Sequence, residues 1–184
     1  YNEETYPKPT REVDLKGRDL QVIVKLANII LTPDKPEYDG GVWHVEGMEN
    51  EHIVASGIYY YDVENVTDSF LAFRQAVQEP PYEQNDLKAP AQLFGLPDAA
   101  TLNQRLGQVL TCGGRCLAFP NVFQHRVSPF SLEDRTRPGH RKILVFFLVD
   151  PARRILSTSH GPPQQSSWFA DSLQKLLWEA GRLP

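Results

Sequence analysis

His44 and Glu46 stand two residues apart in Gly40-Gly41-Val42-Trp43-His44-Val45-Glu46, a stretch that reads as a strand leaving a turn. Both side chains are therefore expected on one face. An imidazole and a carboxylate on one face make two-thirds of a 2-His-1-carboxylate set, which holds iron(II) on three facial positions and leaves three open for substrate and oxygen. The remaining histidine must come from elsewhere, and the chain offers His52, His125, His140 and His160. His52 lies beyond Gly47, where the parity of the strand is lost; His140 ends a polar loop, and His160 sits in a Ser-Thr-Ser-His-Gly-Pro-Pro run of loop composition. His125 lies among Val122, Phe123, Val127 and Phe130. An imidazole left unsatisfied in such surroundings costs about 1–3 kcal/mol, so it must be paired or ligating. His125 is the best candidate for the third ligand.

The elements that must position these residues read mainly as strands. Leu20–Leu31 is rich in β-branched residues, with Val22, Val24 and Leu26 on one parity, and stops at Thr32-Pro33. Asp39-Gly40-Gly41 is a turn that delivers the chain into the His44 strand. His52–Tyr61 is a further strand, followed by a polar loop from Asp62 to Asp68, and Phe70–Arg74 is compatible with another. The segments Glu79–Tyr82 and Lys88–Pro90 look irregular. Asp98 is placed to cap a helix carrying Leu102, Leu106, Val109 and Leu110 at spacings of three and four, ending near Gly113-Gly114. Arg115–Asn121, Val122–Phe130 and Arg141–Asp150 then read as strands, the last being the most strand-like run of all.

At the ends, Tyr1–Arg18 is polar, contains Pro7 and Pro9, and reads as an extended arm. Ser166 or Ser167 caps a C-terminal helix over 166–181, with Phe169, Leu173, Leu176, Leu177 and Ala180 on one side, a pattern suited to packing against the outside of a sheet. Many short strands, few helices and no βαβ rhythm predict a mainly β protein, a jelly-roll (double-stranded β-helix) barrel of cupin type with a few flanking helices.

Composition narrows the function classes. With 184 residues and 41% hydrophobic content the chain supports one domain, residues 1–184, with a real core. A net charge of -4 and a pI near 5.7, with basic residues scattered, lack the electrostatic footprint expected for nucleic acid or an anionic membrane surface. No apolar run is long enough to span a bilayer, and Tyr1-Asn2-Glu3-Glu4 lacks the features of a signal peptide, so an intracellular, cytoplasmic location is expected. The expected partner is a small-molecule or peptide substrate. Cys112 and Cys116 bracket Gly113-Gly114-Arg115; free thiols are favoured over a disulfide, and zinc would need two more ligands that the neighbourhood lacks.

Trp43-His44-Val45-Glu46, then Phe119–Val127 with His125, then Gly139-His140-Arg141-Lys142-Ile143-Leu144 together resemble, in content and order, the core of the Fe(II)- and 2-oxoglutarate-dependent dioxygenases, and more closely an uncharacterised fungal family grouped with them. The resemblance covers roughly residues 20–160. It implies that His44, Glu46 and His125 ligate iron(II) and that Arg141 binds the distal carboxylate of the cosubstrate 2-oxoglutarate, a task that suits a planar, permanently charged guanidinium. The implied activity is hydroxylation of a substrate with release of succinate and CO2.

Three features depart from the family pattern. Glu46 stands where Asp is usual. Arg126 and Arg137 are competing arginines around the spacing from His125 to Arg141. No serine follows Arg141 at the usual place, so its hydroxyl partner is expected from Tyr59, Tyr61 or Ser128. Trp43, Tyr59, Tyr60 and Phe147 are candidate pocket walls, and Glu49, Glu51 and His52 read as a solvated face or as supports of the ligands. The alternative of a different class is a cupin-like binding or scaffold module that keeps the barrel without turnover; Glu46 is the residue that raises it.

Overall fold

A computed structural model describes residues 13–80, 86, 88–97, 100–161 and 165–182. Most of the expected N-terminal arm, residues 1–12, the capping residue Asp98, and Pro81 and Tyr82 of the irregular segment lie outside the described residues. The chain divides into two compact units, Tyr1–Arg153 and Arg154–Pro184.

The first unit is built from antiparallel sheets. Its strands are β1 (Val22–Leu31), β2 (Glu37–Tyr38), β3 (Ile53–Glu64), β4 (Phe70–Ala76), β5 (Asn103–Leu110), β6 (Cys116–Pro120), β7 (Gln124–Val127), β8 (Phe130–Ser131) and β9 (Gly139–Val149), with one short helix, α1 (Ala89–Phe94). The large sheet has the order β1-β9-β3-β6, the small one β5-β4-β7, and β2 pairs with β8. Residues 41–44 extend the small sheet beyond β7, through Gly41 N–H to the Val127 carbonyl at 3.0 Å and a bridge between His44 and His125. Followed along the chain, the path leaves the large sheet at β1 and passes to 41–44 in the small one. It returns at β3, crosses to β4 and β5, returns at β6, crosses to β7 and ends in β9. This alternation is that of a jelly roll, as expected.

The core lies between the two sheets. Ile58 and Tyr60 of β3, Phe119 of β6, and Val145 and Phe147 of β9 meet Leu71 of β4, all below a tenth exposed, with Phe73, Phe123 and Val127 packed beside them. A second cluster of Leu31, Phe130 and Leu132 sits where β1, β8 and the following turn meet. Gly139 opens β9 against this end; a Cβ there would run into the carbonyl of Asn65 and the Leu132 side chain, so only glycine lets the strand enter so close to the β3 terminus.

Several local expectations change. The segment predicted as a helix over Leu102–Leu110 forms strand β5, bulged at Leu106, beside Gly107 at φ +129°, where its pairing with β4 changes register between Phe73 and Arg74. Pairing with β4 outweighs the local helical pattern. Lys88–Pro90, read as irregular, leads into α1, whose first turn accepts Pro90 because its missing N–H has no helical acceptor there. The strand read over Val122–Phe130 is two, broken at Ser128-Pro129, and β3 runs on to Glu64 through the expected loop. On β1 the set Val22, Val24 and Leu26 is the exposed one, while Ile23 packs on the core. Cys112 and Cys116 are both free thiols.

The second unit contains α2 (Ser166–Glu179), where Phe169, Leu173 and Leu176 recur at helical spacing. No helix among the described residues is long and apolar enough to cross a membrane.

Candidate metal centre

His44 is carried by a bridge and not by a regular strand: its N–H donates to the His125 carbonyl at 3.2 Å and its carbonyl accepts from the His125 N–H at 2.9 Å. The two imidazoles consequently rise side by side from neighbouring backbones, with ring centroids 4.4 Å apart. Glu46, two residues on, reaches both. Its Oε1 lies 3.1 Å from His125 Nε2 and 3.7 Å from His44 Nε2. One donor atom from each of the three residues can be chosen so that all lie within 4.8 Å of one another.

Each of the three side chains is held by contacts of its own. The Val42 carbonyl can only accept, so the 2.8 Å contact from His44 Nδ1 places a proton there and turns Nε2 toward Glu46. His125 is 3% exposed and packs against the Phe119 ring at 4.9 Å and the Phe73 ring at 6.4 Å. Its Nε2–H donates to Glu46, so a metal held there would displace that proton, and among the described residues its buried Nδ1 has no partner. Burial pushes the Glu46 carboxyl upward, but the hydrogen bond from His125 and the charges of His125, His44 and Lys25 outweigh it and hold the group below its ordinary value of 4.5. Glu46 is thus an anion at neutral pH.

Donor spacings of 3.1 and 3.7 Å suit adjacent positions around one ion, because ligand atoms about 2.1 Å from a common centre and at right angles are about 3 Å apart. The His44 side chain is 44% exposed, against 15% for Glu46 and 4% for His125, so the trio is closed on the barrel side and open on one other. The extra methylene of Glu46 does not prevent convergence.

Glu46 owes its position to a residue that the sequence reading passed over. Asn121, in the turn after β6, accepts the Glu46 N–H at Oδ1 (2.8 Å) and donates from Nδ2 to the carbonyls of Glu46 (2.9 Å) and Ile53 (3.0 Å). The only available signal was an asparagine in Pro-Asn between two strands, which reads equally well as an ordinary turn residue.

Arg141 faces the interior from β9 and is 2% exposed. Its guanidinium carbon lies 4.8 Å from the Tyr60 ring centroid and 5.9 Å from that of Phe130. Burial lowers its pKa, opposed by Tyr60 and Tyr38, and a guanidinium stays charged under such a shift. Among the described residues no carboxylate is within ion-pair distance of it, and its Nε has no hydrogen-bond partner. Tyr60 is fully buried beside it, and the hydroxyl of Ser56, 2% exposed, has no partner among the described residues. Burial raises the Tyr60 pKa against the opposing effect of Arg141, which keeps it a phenol. A buried cation with unsatisfied polar neighbours fits an anionic guest.

The expected partners of Arg141 lie elsewhere. Strand alternation that turns Tyr60 inward turns Tyr59 and Tyr61 outward, 39% and 40% exposed, and the Tyr61 hydroxyl donates to Asn28 Oδ1 at 3.2 Å. Neither is in the interior. Ser128 uses its Oγ to accept the Phe70 N–H at 2.8 Å, closing the β4/β7 end. Of the expected walls, Phe147 and Tyr60 line the interior, but Trp43 lies against Arg74 and Arg126. The competing arginines are outside as well: Arg126 is the one beside Trp43, and Arg137 is exposed and paired with Asp134 at 3.2 Å and Glu64 at 3.8 Å. Glu51 caps the turn at Met48 N–H (2.7 Å), and His52 ends that turn in the left-handed region at φ +50°.

Comparison with curated proteins finds no match. Among solved structures, the chain is similar to hydroquinone 1,2-dioxygenase PnpCD in complex with Cd2+ and 4-hydroxybenzonitrile, at 15% identity and a TM-score of 0.34, over 73% of this chain. The chain spans 62% of that protein's length. A family model matches residues 2–172, nearly the whole sequence, and the chain therefore belongs to the family described as protein of unknown function DUF4246.

Proposed function

We propose that this protein is a non-haem iron(II)- and 2-oxoglutarate-dependent oxygenase that hydroxylates a small-molecule or peptide substrate with release of succinate and CO2. The observation that carries the reading is the convergence of His44, Glu46 and His125 on one point, with the His44 tautomer set by Val42 and one side of the trio open. In this reading His44 Nε2, His125 Nε2 and a Glu46 oxygen hold the metal, and Arg141, with Tyr60 beside it, takes the distal carboxylate of the cosubstrate. Iron(II) with 2-oxoglutarate and oxygen supplies an oxidant strong enough to hydroxylate carbon, which side chains alone cannot provide. The chain's own contribution is geometric and electrostatic. Glu46 and Asn121 fix the bite of the ligands, His125 closes the barrel side among Phe73 and Phe119, and Arg141 anchors an anion in a site that excludes water.

The test is anaerobic loading with iron(II) followed by 2-oxoglutarate and oxygen, reading succinate. Turnover should appear and be abolished by His44→Ala and His125→Ala; calorimetry that finds no iron binding in the presence of 2-oxoglutarate would sink the proposal. The second reading, a binding module without turnover, is favoured by the hydrogen bond that already joins Glu46 to His125. It would be identified by a folded protein that forms no succinate under these conditions.

A further inference from the structure

We propose that the outer face of the small sheet, built around Trp43, Arg74, Arg105 and Arg126, is a docking surface for an acidic peptide segment of a partner protein. The alternation that turns Phe73 and His125 into the barrel turns their neighbours outward, Arg74 on β4 and Arg126 on β7. Arg74 is paired in register with Gln124 on one side and Arg105 on the other, and paired residues share a face. Trp43, the neighbour of His44, joins them, with the guanidinium carbons of Arg74 and Arg126 lying 4.6 and 4.8 Å from its ring centroid.

Stacking occupies the flat face of a guanidinium and leaves its N–H edges, the donors that grip a carboxylate in pairs. Arg74 is further oriented by its Nε donating to Gln124 Oε1 at 2.7 Å, which leaves its terminal nitrogens. Among the described residues no carboxylate lies within ion-pair distance of any of the three arginines, although acidic residues outnumber basic ones 23 to 19 in the chain. Three like charges on adjacent strands repel, and no acid among the described residues relieves them; an external acid would. The face suits an acidic peptide better than a nucleic acid. Bases would need the aromatic ring for stacking, and that ring already carries two guanidinium groups, whereas carboxylates need only the exposed edges.

The experiment titrates the full chain with a fluorescently labelled Glu-Gly repeat peptide, its Gln-Gly counterpart and an oligouridine, reading anisotropy at low and physiological salt. The Glu peptide should bind at least about tenfold tighter than the Gln peptide and weaken with salt. Arg126→Gln and Arg105→Gln, both at exposed positions, should each weaken it about fivefold. Arg135→Gln, which removes an exposed arginine already paired with Glu37, should leave it unchanged. His44→Ala should also leave it unchanged, separating this surface from the metal reading. Equal binding of the two peptides, equal losses from Arg135→Gln and Arg126→Gln, or tighter binding of the oligouridine would overturn the proposal.

Discussion

Asn121 grips the backbone of Glu46 on both sides, accepting its N–H at 2.8 Å and donating to its carbonyl at 2.9 Å across 75 positions of sequence. The carboxylate of the candidate metal trio is therefore held by a residue that does not itself belong to the trio. Asn121→Ala removes three hydrogen bonds and is expected to cost about 1–3 kcal/mol in urea unfolding of the metal-free protein. It should also weaken metal affinity about tenfold, as loss of a ligand-supporting contact typically does. Unchanged metal affinity with lowered stability would show that Asn121 serves the fold alone.

Arg141 holds a charge in the interior with no carboxylate beside it among the described residues, an arrangement that favours a guest over the empty fold. Arg141→Met is expected to raise the stability of the ligand-free protein by about 1 kcal/mol, because it replaces an uncompensated cation with an apolar chain of similar length. The same change should weaken 2-oxoglutarate binding, measured calorimetrically with manganese(II) in place of iron, by about a hundredfold. A stabilised variant with full turnover would point to an iron enzyme that uses another cosubstrate.

Gly139→Ala tests how tightly β9 enters the barrel. The added methyl group meets the Asn65 backbone, which cannot swing aside, and the Cδ2 of Leu132, which is buried. A loss of about 2–3 kcal/mol is expected in chemical denaturation. A neutral result would mean that the strand end moves apart at little cost.

Asp62 accepts from Lys142 at 2.8 Å and faces His140 at 2.8 Å on the outside of the large sheet, tying β3 to β9. Hydrogen bonds from Lys142 and His140 hold the Asp62 carboxyl below its ordinary value of 3.8, and donating to Asp62 raises the Lys142 ammonium above its ordinary value of 10.5. A depressed carboxyl contributes stability that is complete above its ordinary value and is lost as pH falls through the folded one. A raised ammonium contributes stability that is complete below its ordinary value and is lost as pH rises through the folded one. The stability difference between the native protein and Asp62→Asn should thus be a plateau across neutral pH that shrinks at both extremes. Urea midpoints taken across the pH range check it, and a difference that grows on acidification contradicts it.

The mainly β character was readable from β-branched runs punctuated by Gly and Pro, and His125 stood out because an imidazole inside an apolar strand needs a partner. Where reading failed, a non-local contact had decided. Leu102 to Leu110 carries a helical spacing that its pairing with β4 turns into a bulged strand, since each pair with a neighbour satisfies backbone groups that a lone helix would otherwise satisfy internally.

The sequence by itself offered His44, Glu46 and His125 as candidate ligands and a permanently charged Arg141 near the start of a strand, because those are properties of side-chain chemistry and local order. Only the tertiary structure decided direction. Alternation says that Tyr60 opposes Tyr59 and Tyr61, but which of the two sets faces the barrel depends on the strands paired on either side, and it is Tyr60 that meets Arg141. In the same way Trp43 is turned from an expected pocket wall to a stack with two arginines, and Asn121 becomes the anchor of Glu46, since both outcomes rest on backbones brought together from distant parts of the chain.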